Sequence, residues 1–144
     1  MSWKFSQKTL WAIVVAVVLI GAFFVMSKNN SSTGTMYPDG LRVEVLQDGS
    51  GDEIKIGDVA VVNYVGTFDD GTVFDSSYNR GVAFEFPVGA GRVIEGWDLG
   101  VVGMKVGEKR KLTIDPELAY GSVQVGPIPP NSRLTFEVEL VAIR

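Results

Sequence analysis

Seven aromatic side chains, Tyr64, Phe74, Phe84, Phe86, Trp97, Tyr120 and Phe136, are what this chain offers for shaping a reaction site, because the usual reactive groups are missing. There is no histidine and no cysteine. That removes the commonest general base, the commonest metal ligand, thiolate nucleophiles, Cys-zinc sites and disulfides, and with them most hydrolase triads. Any reaction catalysed here must proceed without a histidine. Motifs for other chemistries fail on spacing. Gly89-Ala90-Gly91-Arg92-Val93-Ile94 begins like a dinucleotide fingerprint, but Ile94 stands where the third glycine is needed and no βαβ unit of ~30 residues surrounds it. Asp69, Asp70 and Asp75 lack the spacing of a calcium loop. The rings therefore carry the argument. Strands usually bury aromatics as core, which is the expectation for Phe86 and much of Phe84, whereas the pattern around Trp97 fits core and pocket equally well.

The elements that must position these residues are mostly strands. Leu41–Val45, Lys109–Ile114 and Leu134–Leu140 alternate apolar and polar residues as half-buried strands do, and Val59–Val65 is apolar enough to be central. Asp69-Asp70-Gly71-Thr72 is a turn between strand-like runs. Asp75-Ser76-Ser77 has the short side chains that cap backbone groups in turns. One helix is expected from Val93 to Val102, with Ile94, Trp97 and Val101 on one face and Gly103 as its stop. Asp115-Pro116-Glu117 can open a single helical turn. One short helix among antiparallel strands is an α+β domain, the sheet burying its apolar face on the helix.

The N-terminal quarter differs in kind. Residues 1–9 carry Lys4 and Lys8, residues 10–26 form an uncharged apolar run, and residues 27–36 are a polar, Ser- and Asn-rich stretch that reads as a flexible tether. As a helix, residues 10–26 would extend about 25 Å, near the lower limit for a membrane span. A cleaved signal peptide would need a small-x-small site, which Phe23–Lys28 lacks, so the expectation is one transmembrane signal anchor. The lysines before the run favour a cytoplasmic N-terminus, placing residues 37–144 on the extracytoplasmic side of a single-pass membrane protein that touches lipid through residues 10–26. All seventeen Asp and Glu follow Pro38 against ten Lys and Arg, leaving the domain at about −7. Phosphate backbones need a basic surface, so nucleic acid is excluded as a partner.

Tyr64, Phe74-Asp75-Ser76-Ser77, Val93-Ile94-Glu95-Gly96-Trp97, Ala119-Tyr120-Gly121, Ile128-Pro129-Pro130 and Phe136, in this order and at these intervals, resemble the FK506-binding-protein (FKBP) family of peptidyl-prolyl cis/trans isomerases. The resemblance covers residues 37–144. It implies an FKBP-like antiparallel sheet wrapped on one short helix, an isomerase (rotamase) acting on Xaa-Pro bonds in the folding of exported proteins, and no metal or organic cofactor. It also implies roles: Tyr64, Phe74, Asp75, Trp97, Tyr120 and Phe136 in catalysis, with Arg80, Phe84, Val93, Ile94 and Ile128 binding substrate. Trp97 would be the floor of the proline pocket, Ile94 would offer its backbone N–H to a bound carbonyl, and Arg80 would partner Asp75. Partners implied are proline-containing polypeptides and FK506-type macrolides. The alternative is a non-catalytic, membrane-tethered module that binds proline segments as a chaperone or scaffold. Residues 121–128 depart from the family, being about one residue shorter and carrying Pro127 just before Ile128. Rotation about an Xaa-Pro bond needs no acid or base, because the barrier of about 18–20 kcal/mol is amide resonance itself.

Overall fold

The computed structural model describes residues 36–144. Segments 1–9 and 10–26, and all of the tether except Met36, lie outside the described residues. Among those described, no helix is long and apolar enough to cross a membrane.

The elements in chain order are β1 (Leu41–Gln47), β2 (Ser50–Glu53), β3 (Val59–Thr67), β4 (Val73–Ser76), α1 (Ser77–Arg80), β5 (Phe84–Pro87), α2 (Glu95–Gly100), β6 (Lys105–Val106), β7 (Lys109–Ile114), a 3-10 turn (Pro116–Leu118) and β8 (Leu134–Ile143). The main sheet is antiparallel in the order β1-β7-β8-β3-β4. β3 is long enough to take two partners on its free edge. Val59–Val62 pair with β5, while Val65–Thr67 pair with β4. The remaining two short strands, β2 and β6, pair with each other.

Alternation decides which face is buried. Leu134, Phe136, Val138 and Leu140 of β8, Leu112 and Ile114 of β7 and Ala60, Val62 and Tyr64 of β3 share one buried face with Trp97 and Val101. The intervening Glu137 and Val141 are exposed. The pattern weakens along edge strand β1, where Leu41 is buried and Val45 is half exposed.

α2 is shorter than the periodicity predicts, and the reason is local. Ile94 has an extended backbone (φ −59, ψ 148), because the preceding loop is pinned by the Asp98 carboxylate, which accepts the N–H of Gly89 at 2.9 Å and of Gly91 at 3.0 Å. The helix therefore starts at Glu95. At its other end Arg110 donates to the carbonyls of Gly100 and Val102, both at 2.9 Å, drawing off groups that a longer helix would use. Gly96 and Gly100 let the helix approach the sheet: a Cβ on either would come within 2.6 Å of Ile114 or 2.8 Å of Leu112.

Ser77 has the expected structural role, a short side chain capping a backbone group, but in a different element. The sequence placed it in a turn, but it opens the short helix α1, which ends at Gly81 in the left-handed region (φ 66). The Ser77 hydroxyl is fully buried and accepts the Tyr64 N–H at 2.8 Å while lying 3.0 Å from Asn63 Oδ1. A side chain thus continues the β3–β4 ladder where the strand backbone turns away.

Candidate active site

A cavity of about 430 Å³ opens on the buried face of the sheet, above α2. Trp97, 4% exposed, lies between rings from three strands: Tyr64 (β3) at 5.0 Å and 85°, Phe136 (β8) at 5.2 Å and 88°, and Phe86 (β5) at 5.5 Å. Phe84 meets it edge-on at 6.0 Å. Such edge-to-face contacts fix ring orientation and contribute about 0.5–1.5 kcal/mol each beyond buried area. Phe74 packs against Phe136 at 5.6 Å and 87°, extending the wall toward the mouth.

Gly66 makes that wall possible. It stands opposite both Phe136 and Asp75 in the sheet register, and a Cβ there would sit 2.7 Å from Phe74 Cζ and 2.9 Å from Phe136 Cε1. Only a residue without a side chain leaves room for both rings.

The polar corner is one carboxylate and its donors. Tyr64 Oη donates to Asp75 Oδ2 at 2.5 Å, Arg80 Nη1 donates to Asp75 Oδ1, Arg80 Nη2 donates to Tyr64 Oη at 2.7 Å, and the Ser76 N–H donates to Asp75 Oδ1 at 2.9 Å. Burial works against ionising Asp75, but the hydrogen bonds from Tyr64 and Arg80 and the adjacent guanidinium outweigh it and hold the carboxyl below its usual range. The same burial, with the hydrogen bond to Asp75, pushes the Tyr64 phenol up; burial and the Asp75 charge do so for Tyr120. All three groups therefore keep one protonation state across the neutral range. The carboxylate is saturated with donors and is poorly disposed to act as a base.

The structure gathers Tyr64, Phe74, Asp75, Phe84, Val93, Ile94, Trp97, Tyr120, Ile128 and Phe136 around this cavity. Phe86 belongs to the core behind Trp97, while Phe84, stacked on it, presents its other side to the cavity. Arg80 is not part of the lining; it stands behind Asp75 and Tyr64 and acts on the cavity through them. The N–H of Ile94 makes no hydrogen bond among the described residues, and Ile94 lines the cavity. Four lining residues carry no site role in the sequence reading: Arg92, Val125, Gly126 and Pro127. The last three form the rim. Val125 and Ile128 exchange both backbone hydrogen bonds, at 2.9 and 3.0 Å, around Gly126 (φ 53) and Pro127. This is a two-residue hairpin, and proline at the second position excludes a positive φ there, leaving the type II′ turn. Their place in the shortened segment before Ile128 was the available signal; nothing marked Arg92 apart from its position beside Val93.

The site is thus a ring-floored, largely apolar cavity on an antiparallel sheet, beside a carboxylate already neutralised by its own neighbours. A family model described as FKBP-type peptidyl-prolyl cis-trans isomerase matches residues 51–141. The chain is 56% identical over 108 residues to FK506-binding protein 1A of Neurospora crassa, covering 74% of this chain and 90% of that protein. It is 48% identical over 132 residues to FK506-binding protein 2 of Yarrowia lipolytica (88% of this chain, 91% of that protein), and 48% identical over 106 residues to FK506-binding protein 1 of Dictyostelium discoideum (73% and 99%). The chain belongs to the FKBP-type peptidyl-prolyl cis-trans isomerase family, and it is an enzyme that isomerises Xaa-Pro peptide bonds.

Proposed function

We infer that the cavity over Trp97 is where the Xaa-Pro bond is held and turned. The observation that carries this is the Trp97 indole enclosed by Tyr64, Phe136 and Phe84 beneath a mouth open to a peptide. The proline ring stacks on that floor, which its own shape and apolarity match. The free N–H of Ile94 takes a substrate carbonyl. In the planar imide, resonance polarises the carbonyl and water solvates it well; at the twisted transition state that polarisation is lost. Rings that exclude water therefore remove a stabilisation of the planar form that the twisted form does not enjoy, and contacts made to the twisted form lower the barrier directly. Asp75, held ionised by Tyr64 and Arg80, fixes the Tyr64 ring at one wall; Phe74, Tyr120 and Ile128 form the others.

Exchange spectroscopy on a panel of Xaa-Pro peptides tests these roles. Phe74→Ala and Asp75→Val, each with wild-type circular dichroism, should lower kcat/KM at least several-fold. Wild-type rates in both would reject the assignment. By the same likeness, FK506-type macrolides occupy this cavity in competition with peptide.

Residues 10–26 act as an uncleaved anchor, holding the enzyme on the extracytoplasmic side, where it speeds proline steps of exported chains. Uncatalysed, these steps take about 10–100 s. The support is in the sequence: the uncharged run and the lysines before it. Full-length protein should resist carbonate extraction, with residues 37–144 open to protease from outside. A mature chain that began near Ser27 and washed off would instead make the segment a cleaved signal peptide.

A further inference from the structure

The cavity holds two charged side chains of opposite sign, Asp75 and Arg92, and they differ in how far each is satisfied. Asp75 is neutralised within the protein by Arg80, Tyr64 and the Ser76 N–H. Arg92 is not. It lines the cavity, is exposed, and forms neither an ion pair nor a side-chain hydrogen bond among the described residues. Glu95, three residues on, does not pair with it.

Its backbone is nevertheless held. The loop that delivers Arg92 is fixed on both sides. The N–H groups of Gly89 and Gly91 are clamped by the Asp98 carboxylate, and Ile94, two residues later, accepts the Trp97 N–H at 2.9 Å. A free guanidinium on a fixed stem is thus set at the mouth of a cavity whose other charge is already spent. Of the two charges in the lining, the positive one is left without a partner among the described residues, while the whole chain is at −4. That contrast has no use for the apolar proline ring, which contacts the floor. It has a use for what flanks the ring, since a peptide long enough to seat its proline on Trp97 must run out past the rim.

We propose that Arg92 is a specificity-determining residue of this isomerase, selecting Xaa-Pro segments that carry an acidic side chain close to the bond that rotates. The proposal rests on the cavity over Trp97 being the site of catalysis. An exposed guanidinium–carboxylate pair contributes modestly, so the preference is about two- to fivefold at low salt and shrinks as salt screens it.

The test is a set of short peptides sharing one Xaa-Pro core, with Glu, Gln or Lys placed one or two residues to either side, assayed by exchange spectroscopy on the full chain. At one flanking position the wild type should turn over the Glu peptide two- to fivefold faster than its Gln isostere, and the Lys peptide slower than Gln. The Glu/Gln ratio should fall toward one in 0.5 M salt and in Arg92→Gln, and invert in Arg92→Glu. Because each ratio is internal to one variant, a general loss of activity does not disturb it. Ratios of one at every position in the wild type, or a ratio untouched by Arg92→Gln, would overturn the selection while isomerase activity stands. Failure of the site's placement is read separately, as wild-type kcat/KM for the Gln peptide in both Phe74→Ala and Asp75→Val.

Discussion

Replacing Gly66 by alanine should separate stability from catalysis in this fold. The added Cβ would lie 2.7 and 2.9 Å from two Phe74 ring carbons and 2.9 Å from one of Phe136. Carbon atoms pack best at about 3.5–4.0 Å, so the rings must give way by about 1 Å. Phe136 is 5% exposed and locked against Trp97, whereas Phe74 is only partly buried, so Phe74 is the ring that moves. Overpacking of this kind costs about 1–3 kcal/mol. Against it stands the reduced freedom of the unfolded chain, worth about 0.4–1 kcal/mol for Gly→Ala where φ is not positive, as at Gly66. The net loss is therefore about 0–2.6 kcal/mol, small enough for the domain to fold. Catalysis should suffer more, because a catalytic wall displaced by about 1 Å can cost up to about a hundredfold. Urea unfolding would give the first quantity and exchange spectroscopy the second. We expect a folded protein with kcat/KM down at least tenfold. A folded Gly66→Ala enzyme with wild-type kcat/KM would falsify the view that Phe74 and Phe136 must hold these positions.

Three further outcomes follow from the site and its supports. The kcat/KM for an uncharged peptide should be flat across the neutral range, because the Asp75 carboxyl is held low and the Tyr64 and Tyr120 phenols are pushed high; a bell-shaped profile with a limb near neutrality would mean that a titrating group takes part. Since the folded-state pKa of Asp75 is the depressed one, its contribution to stability is present above the ordinary carboxylate range and fades only as pH falls through the folded value. Arg110→Met should destabilise the fold by about 3 kcal/mol or more in urea titrations, because it leaves the buried Glu108, now 2.5 Å from Arg110 Nε, without its counter-charge; a loss under about 1 kcal/mol would show the pair to be dispensable. Lengthening residues 121–128 by one residue should open the Gly126-Pro127 hairpin and tighten FK506-type macrolide binding more than it changes peptide turnover, as competition binding would show; unchanged affinity would remove the rim as a determinant.

What the sequence disclosed follows from which interactions are periodic. The alternation in Leu134–Leu140 faithfully reports a strand with one buried face, and the Asp69–Thr72 turn is where Phe68 and Thr72 close the hairpin. The ring set around Trp97 was legible as a group through its order and spacing, although periodicity alone left Trp97 between core and pocket. In the fold that division softens: Phe86 packs wholly within the core, and the adjacent Phe84 is 37% exposed on the cavity side of the same stack.

What stayed hidden depends on polar contacts between residues distant in sequence. No local pattern says that Ser77 will cap the backbone of Tyr64, thirteen residues earlier, or that Asp98 will reach back to Gly89 and Gly91 and delay the start of α2. Arg110 is the sharpest case. In the strand pattern Lys109-Arg110-Lys111 it is one of three consecutive cations, yet it alone points inward, because its even position in β7 shares a face with Leu112 and Ile114. A charge forced onto a buried face must find partners there. It finds Glu108 and the carbonyls that end α2, so the helix that floors the site is terminated by a residue that never touches the cavity. The register of β7 thus bears on where α2 ends, as Asp98 bears on where it begins, and Trp97 sits in the short helix between them.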